Sequence, residues 1–198
     1  SEDNFRTVLS PWVSQGVVTL RDSESKGQLW VYNDCLRRAR LLTKWLAFLD
    51  VDEFLWSPAH GSLKVALESN SKFASLLVGQ VMFGSGGNYL APSEGVVNGL
   101  LRCAPPASSC HQSWQEEADK LRSKGQKTSG SAYLLKPIVN PRRVLRAKIH
   151  STAWKFRFKE RVLSTRNLGL SDLRTVELVI NHYWVRGLGE LHGKSVRG

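Results

Sequence analysis

Strands that alternate with helices along these 198 residues predict an α/β fold with a mainly parallel central sheet. Three observations carry that expectation. Residues 30–44 place Val31, Cys35, Leu36, Ala39 and Leu42 at helical spacing, with Arg37, Arg38, Arg40 and Lys44 on the opposite face. Residues 45–49 form a continuous apolar run, of the kind found in a strand covered on both faces. Residues 73–83 read as a second apolar strand; the run at 45–49 stops abruptly at Asp50, and the strand at 73–83 ends in the Gly84 loop.

The elements follow in order. Ser1-Glu2-Asp3-Asn4 opens a short amphipathic helix marked by Phe5, Val8, Leu9 and Trp12, which Gly16 ends. Val17-Val18-Thr19-Leu20 reads as a short buried strand, and residues 21–28 as a polar loop. After the helix at 30–44 and the strand at 45–49, Gly61-Ser62 caps a helix through Leu63, Val65, Ala66 and Leu67. The strand at 73–83 runs into Gly84-Ser85-Gly86-Gly87, a loop that either admits close backbone approach by a ligand or simply connects two elements. Residues 112–131 turn polar and Gly/Ser-rich without periodicity, as an insertion or mobile loop does. Order resumes at 133–139. Asn140-Pro141 marks a turn, residues 144–150 alternate as a strand, and residues 176–184 form the last strand before a basic tail.

A hydrophobic content of 41% at this length allows one sizeable core. The net charge of +11 implies an anionic partner. Its basic residues are spread along the chain, as at Arg37-Arg38, Arg142-Arg143 and residues 155–161, which argues against a disordered nucleic-acid-binding tail. Seven Trp suit core packing and sugar stacking alike. Cys35, Cys103 and Cys110 are too few for a disulfide framework and lack paired zinc spacing; Cys103 and Cys110 are either bridged or free. No stretch reaches the length needed to span a bilayer, and no signal peptide opens the chain, whose first residue is not Met.

The chemistry concentrates at Asp50-Val51-Asp52. In an open α/β sheet, ligands bind beyond the carboxyl ends of strands, where these carboxylates fall. On an extended segment, Asp50 and Asp52 face one site while Val51 anchors the segment in the core. Two hard oxygen donors suit Mg²⁺ or Mn²⁺, with positions left open for phosphate oxygens. An isolated Asp-x-Asp is a common chance match, so its placement after a buried strand matters more than the motif.

A longer ordered set of residues surrounds it. Tyr32-Asn33-Asp34-Cys35-Leu36 precedes Lys44-Trp45-Leu46-Ala47-Phe48-Leu49-Asp50-Val51-Asp52-Glu53-Phe54-Leu55. Phe83-Gly84-Ser85-Gly86-Gly87, Lys136-Pro137-Ile138-Val139-Asn140-Pro141, the strand ending at His150, and Asn181-His182-Tyr183-Trp184-Val185-Arg186 come next, continuing to Lys194 and Arg197-Gly198. Together they resemble glycosyltransferase family 92 over most of the chain, with residues 112–131 the main unmatched stretch.

That resemblance implies a GT-A-like α/β/α sandwich and an inverting transfer from a nucleotide sugar, often UDP-galactose, onto a glycan acceptor. It also implies a divalent metal, usually Mn²⁺, and a Golgi lumenal enzyme held by a single type II membrane anchor. Carried over, Asp50 and Asp52 are the metal and diphosphate site. A late-strand His adds a ligand in related folds, and His150 and His182 both qualify. Lys136, Lys194 and Arg197 are candidates for the diphosphate oxygens. Inversion needs a carboxylate base; Glu53, Glu94, Glu116, Glu117 and Asp119 are available, and spacing selects none.

The family's domain opens with a strand and helix for the nucleotide base ahead of a segment resembling Ser1-Glu2-Asp3. The chain therefore reads as one partial catalytic domain over 1–198, lacking the first strand of its sheet, with an anchor expected upstream. Arg186-Gly187-Leu188-Gly189-Glu190 also departs from the family's Ser-containing stretch. Two rival readings are a non-catalytic glycan-binding domain and a basic nucleic-acid-binding module, although no recognised nucleic-acid motif is present.

Overall fold

A computed structural model describes residues 4–23, 27–103, 135–148, 152–154, 158–163 and 172–188. The helices are α1 (Phe5–Ser14), α2 (Gln28–Ala39), α3 (Leu63–Ser69) and α4 (Val96–Gly99). The strands are β1 (Leu46–Ala47), β2 (Glu53–Trp56), β3 (Ser75–Met82), β4 (Leu135–Val139), β5 (Val144–Ala147), β6 (Thr152–Trp154), β7 (Glu160–Leu163) and β8 (Val179–His182), with a short 3₁₀ helix at Asp172–Thr175. The expected insertion at 112–131, His150, Cys110, Lys194 and Arg197 lie outside the described residues.

The protein is a mixed α/β structure organised on β3, which is buried along almost its whole length. One edge of β3 pairs with β4. Its other edge is shared, by β7 along Ser75 to Val78 and by β8 along Gln80 to Met82. β1 closes one side of the sheet on β4, and β2 closes the other on β8.

The expected mainly parallel sheet is a mixed one among the described residues. β1–β4, β3–β4 and β2–β8 are antiparallel, and only β7 and β8 run parallel to β3. The physical reason is that β2 and β4 run against β3, whereas hydrophobic periodicity reports which faces are covered and carries no information on strand direction.

Helices cover both faces. Neighbouring residues on a strand point to opposite sides, and the core divides accordingly. Leu46, Phe48, Val139 and Ala74 pack with Tyr32 and Leu36 of α2 and with Val144 and Ala147 of β5. Ala47, Leu76, Val78, Ile138, Leu178 and Ile180 pack with Ala66 and Leu67 of α3. Residues 45–49 thus contribute to both layers, as their unbroken apolar character predicts, although only Leu46 and Ala47 enter the ladder. Asn33 pins α2 to β5: its amide donates to the Ala147 carbonyl (2.9 Å) and accepts from the Ala147 N–H (3.0 Å).

Three expected boundaries move. Residues 17–20 form no strand; Val17 is exposed, and the N–H groups of Val17 and Val18 donate to the Trp12 carbonyl as α1 unwinds. The helix expected over 30–44 ends at Ala39, where Leu42 and Thr43 fold back onto the Ala39 carbonyl so that the chain can enter the sheet. The last strand is shorter than 176–184, because its pairing begins at Val179.

A polar clamp centred on Asn70 ties α3 to β7 and to the approach to β8. The fully buried Asn70 donates to the Ala66 carbonyl (2.8 Å) and to Glu177 Oε2 (2.6 Å), while Arg161 donates to Asn70 Oδ1 and to Glu177 Oε1 (2.8 Å). Burial raises the Glu177 pKa, but the hydrogen bonds from Asn70 and Arg161 and the Arg161 charge outweigh it, so the pKa falls below the ordinary glutamate value. A depressed carboxylate stabilises the fold above its unfolded pKa, and that stabilisation is lost as pH falls through the folded value. Urea midpoints should therefore fall on acidification below about pH 5. Glu177→Gln should show a shallower fall than the wild type, by less than about 1 kcal/mol because the pair is partly solvated.

Candidate functional site

The α3-side layer changes character at one end of the sheet. Along β4 the face that carries Ile138 next presents Lys136, and along β3 Leu76 and Val78 are followed by Gln80. Leu178 just before β8 and Ile180 on it give way to His182, and on β2 Leu55 is preceded by Glu53. Ladder register sets Glu53 opposite His182. Four strands therefore each contribute one polar side chain to one end of an otherwise apolar layer.

Glu53 is the hub, with a side chain 0% exposed. Its Oε1 accepts from Lys136 Nζ (3.1 Å) and Gln80 Nε2 (2.9 Å), and its Oε2 from the Asp50 backbone N–H (2.9 Å). Lys136 Nζ also donates to Asp50 Oδ2 at 2.6 Å. Burial pulls the Lys136 pKa down, but the hydrogen bond to Asp50 and the charge of Glu53 more than reverse that, leaving it above the ordinary lysine value.

The Asp50–Asp52 segment is a turn rather than an extended strand end. The Glu53 N–H donates to the Asp50 carbonyl (3.1 Å), closing a β-turn over Asp50, Val51, Asp52 and Glu53. Val51 stands at its tip, fully exposed, and does not anchor the segment in the core as alternation predicts. The two carboxylates consequently answer to different strands. Asp50 is tied to Lys136 of β4, whereas Asp52 turns toward β8, its Oδ2 3.7 Å from His182 Nε2 and its carbonyl accepting from the Tyr183 N–H (2.9 Å). Asp50 Oδ1 has no partner among the described residues. His182 Nδ1 lies 3.1 Å from Gln80 Oε1.

A scan against protein families matches glycosyltransferase family 92 over residues 1–192. The chain belongs to that family. Among curated proteins, it is 36% identical over 86 residues to the galactan beta-1,4-galactosyltransferase GALS3 of Arabidopsis thaliana, which is 39% of this chain and 17% of that relative. It is 35% identical over 86 residues to GALS2 of the same plant, with the same coverage of 39% and 17%. A glycosyltransferase family 92 protein of Ricinus communis is 34% identical over 126 residues, 57% of this chain and 22% of the relative. The chain thus matches less than a quarter of the length of these relatives.

Within this family-92 chain, the structure brings together Asp50, Asp52, Glu53, Lys136 and His182 of the residues singled out from sequence. Glu94 is exposed beside α4, accepts from Ser93 Oγ (3.1 Å) and makes no ion pair or hydrogen bond to the cluster. Glu116, Glu117 and Asp119 lie outside the described residues, as do His150, Lys194 and Arg197. Among the described residues no three His, Cys, Asp or Glu side chains are gathered as a ready metal cage; Asp52 and His182 form a two-donor pair. Gln80 was not singled out, although a buried amide in a largely apolar strand is the kind of polar group that calls for a reason.

The loop after β3 frames the same end. Gly86 and Gly87 adopt φ of 63° and 95°, a left-handed region that favours glycine. The chain leaving β8 then packs on residues 88–91: the Leu188 N–H donates to the Asn88 carbonyl (3.0 Å), and a Cβ at Gly187 would stand 2.6 Å from the Tyr89 carbonyl oxygen. A glycine at 187 is therefore required by close backbone approach.

Removing Lys136 strands a buried carboxylate. Lys136→Met should destabilise the protein by about 3–5 kcal/mol in urea unfolding, and adding Glu53→Gln should recover much of that loss.

Proposed function

We propose that this chain carries the metal and diphosphate site of an inverting glycosyltransferase that moves galactose from UDP-galactose onto a glycan, within a GT-A-like fold. The single observation that carries the reading is the facing pair Asp52 and His182 at the end of the sheet, with Asp50 beside it on the same turn. Family membership and relatives described as galactan beta-1,4-galactosyltransferases support the reaction class and the choice of galactose as the sugar moved.

One imidazole nitrogen of His182 and one carboxylate oxygen of Asp52 suit a hard or borderline divalent cation, Mn²⁺ or Mg²⁺, and Asp50 on the same turn is proposed to add an oxygen when the ion binds. Bound there, the ion would neutralise charge on the departing diphosphate. The chain's own residues prepare that place. Lys136 holds one oxygen of Asp50 and so aims the other; buried between two carboxylates, it acts by positioning Asp50 rather than by reaching a phosphate. Glu53 is fully engaged by donors, which leaves the base that deprotonates the acceptor to a group outside this cluster. Lys194 and Arg197 are proposed to neutralise phosphate oxygens. No helix among the described residues is long and apolar enough to cross a membrane. A Golgi lumenal site of action is part of the proposal, resting on the family resemblance.

The test is galactosyl transfer by the full-length protein from UDP-galactose to a β-galactan oligosaccharide. Turnover should require Mn²⁺ or Mg²⁺ and fall in Asp52→Ala and His182→Ala by more than about 100-fold, the upper range for changes that only orient a ligand. Transfer unaffected by a chelator, or oligosaccharide binding with no turnover of the donor, would overturn the reading.

A further inference from the structure

We propose that Gln80 is a positioning residue that sets the tautomer of His182, so that Nε2 carries a lone pair toward Asp52. The inference rests on the reading of Asp52 and His182 as a cation-binding pair. The chemistry runs in one direction from Lys136. Glu53 is paired with the Lys136 ammonium, and a carboxylate so paired only accepts hydrogen bonds. The Gln80 group that meets Glu53 at 2.9 Å is therefore the NH₂, which turns the amide oxygen to the 3.1 Å contact with His182 Nδ1. An amide oxygen has no proton to give, so Nδ1 must be the donor. In a neutral imidazole the proton on Nδ1 leaves Nε2 bare, and Nε2 is the atom 3.7 Å from Asp52 Oδ2.

Two acceptors then face each other at the mouth of the cluster, an arrangement that favours a cation. His182 Nδ1 is also 3.8 Å from Glu53 Oε1, too long for a direct hydrogen bond, so Gln80 is the link between the buried carboxylate and the ring. Ring orientation and tautomer are thereby settled before any ligand arrives, as groups behind metal-binding histidines do in general. Gln80 acts on the cation pair through His182, while its NH₂ also serves Glu53.

The experiment reads the tautomer directly. The full-length protein, labelled with ¹⁵N at histidine and free of metal, is studied at about pH 8, above the ordinary imidazole pKa. Two-bond ¹H–¹⁵N correlations report which ring nitrogen is protonated, and His182→Gln identifies the signal. The expected result is Nδ1–H with a bare Nε2 in the wild type, and a mixture of both tautomers in Gln80→Leu. Calorimetric titration with Mn²⁺ alone should then show Gln80→Leu binding about 10- to 100-fold more weakly. A wild-type His182 protonated on Nε2 overturns the proposal whether or not the variant folds. So does a folded Gln80→Leu that keeps the wild-type tautomer or the wild-type Mn²⁺ affinity. Asp52→Ala separates the two readings: Mn²⁺ binding unchanged by that substitution sinks the cation site, while the tautomer result still decides the role of Gln80.

Discussion

A carboxylate removed from water must find its solvation in the protein, and Glu53 imposes that requirement on the whole end of the sheet. Its donors come from three places: the turn through the Asp50 N–H, β4 through Lys136 and β3 through Gln80. Satisfying one ion thus fixes the relative positions of three segments distant in sequence. It also fixes register. A one-residue slip of β2 against β8 would swing Glu53 to the opposite face, separating it from Lys136 and Gln80 at once. The apolar layers under α2 and α3 supply most of the burial, but they tolerate exchange among similar hydrophobic side chains more readily than this ion tolerates losing a partner.

What could be read from the amino-acid sequence follows from what periodicity encodes. Helical spacing from Val31 to Leu42 located α2 while overrunning its end at Ala39, and Gly61-Ser62 located the start of α3. The unbroken apolar character of residues 45–49 correctly implied cover on both faces. Strand direction was not legible, because β4 and β2 bury the same pattern whichever way they run. At the end of the sheet the structure assembles Asp50, Asp52 and His182, three of the residues singled out from sequence, whereas the reading of Val51 as a core anchor was wrong. Alternation presumes extended backbone, and the hydrogen bond from the Glu53 N–H to the Asp50 carbonyl bends the segment into a turn instead. Gln80 belongs to no motif, and its only mark is polarity among apolar neighbours.

The split between the two aspartates has a mechanical consequence. Asp50 is held through Lys136 by β4, and Asp52 through the Tyr183 N–H by the end of β8. β3 lies between those strands and pairs with both. The separation of the two carboxylates is therefore governed by the rigidity of a buried central strand as well as by the four-residue turn that joins them. A turn alone would leave two like charges free to diverge into solvent. Anchored on strands either side of β3, each carboxylate is instead fixed by its own partner, Asp50 by Lys136 and Asp52 beside His182. The same geometry explains why the polar residues sit at the end of the layer rather than within it. There they retain the low-dielectric support of Val78, Ile138 and Ile180 on one side, while Asp52 and Asp50 stay partly exposed to solvent on the other.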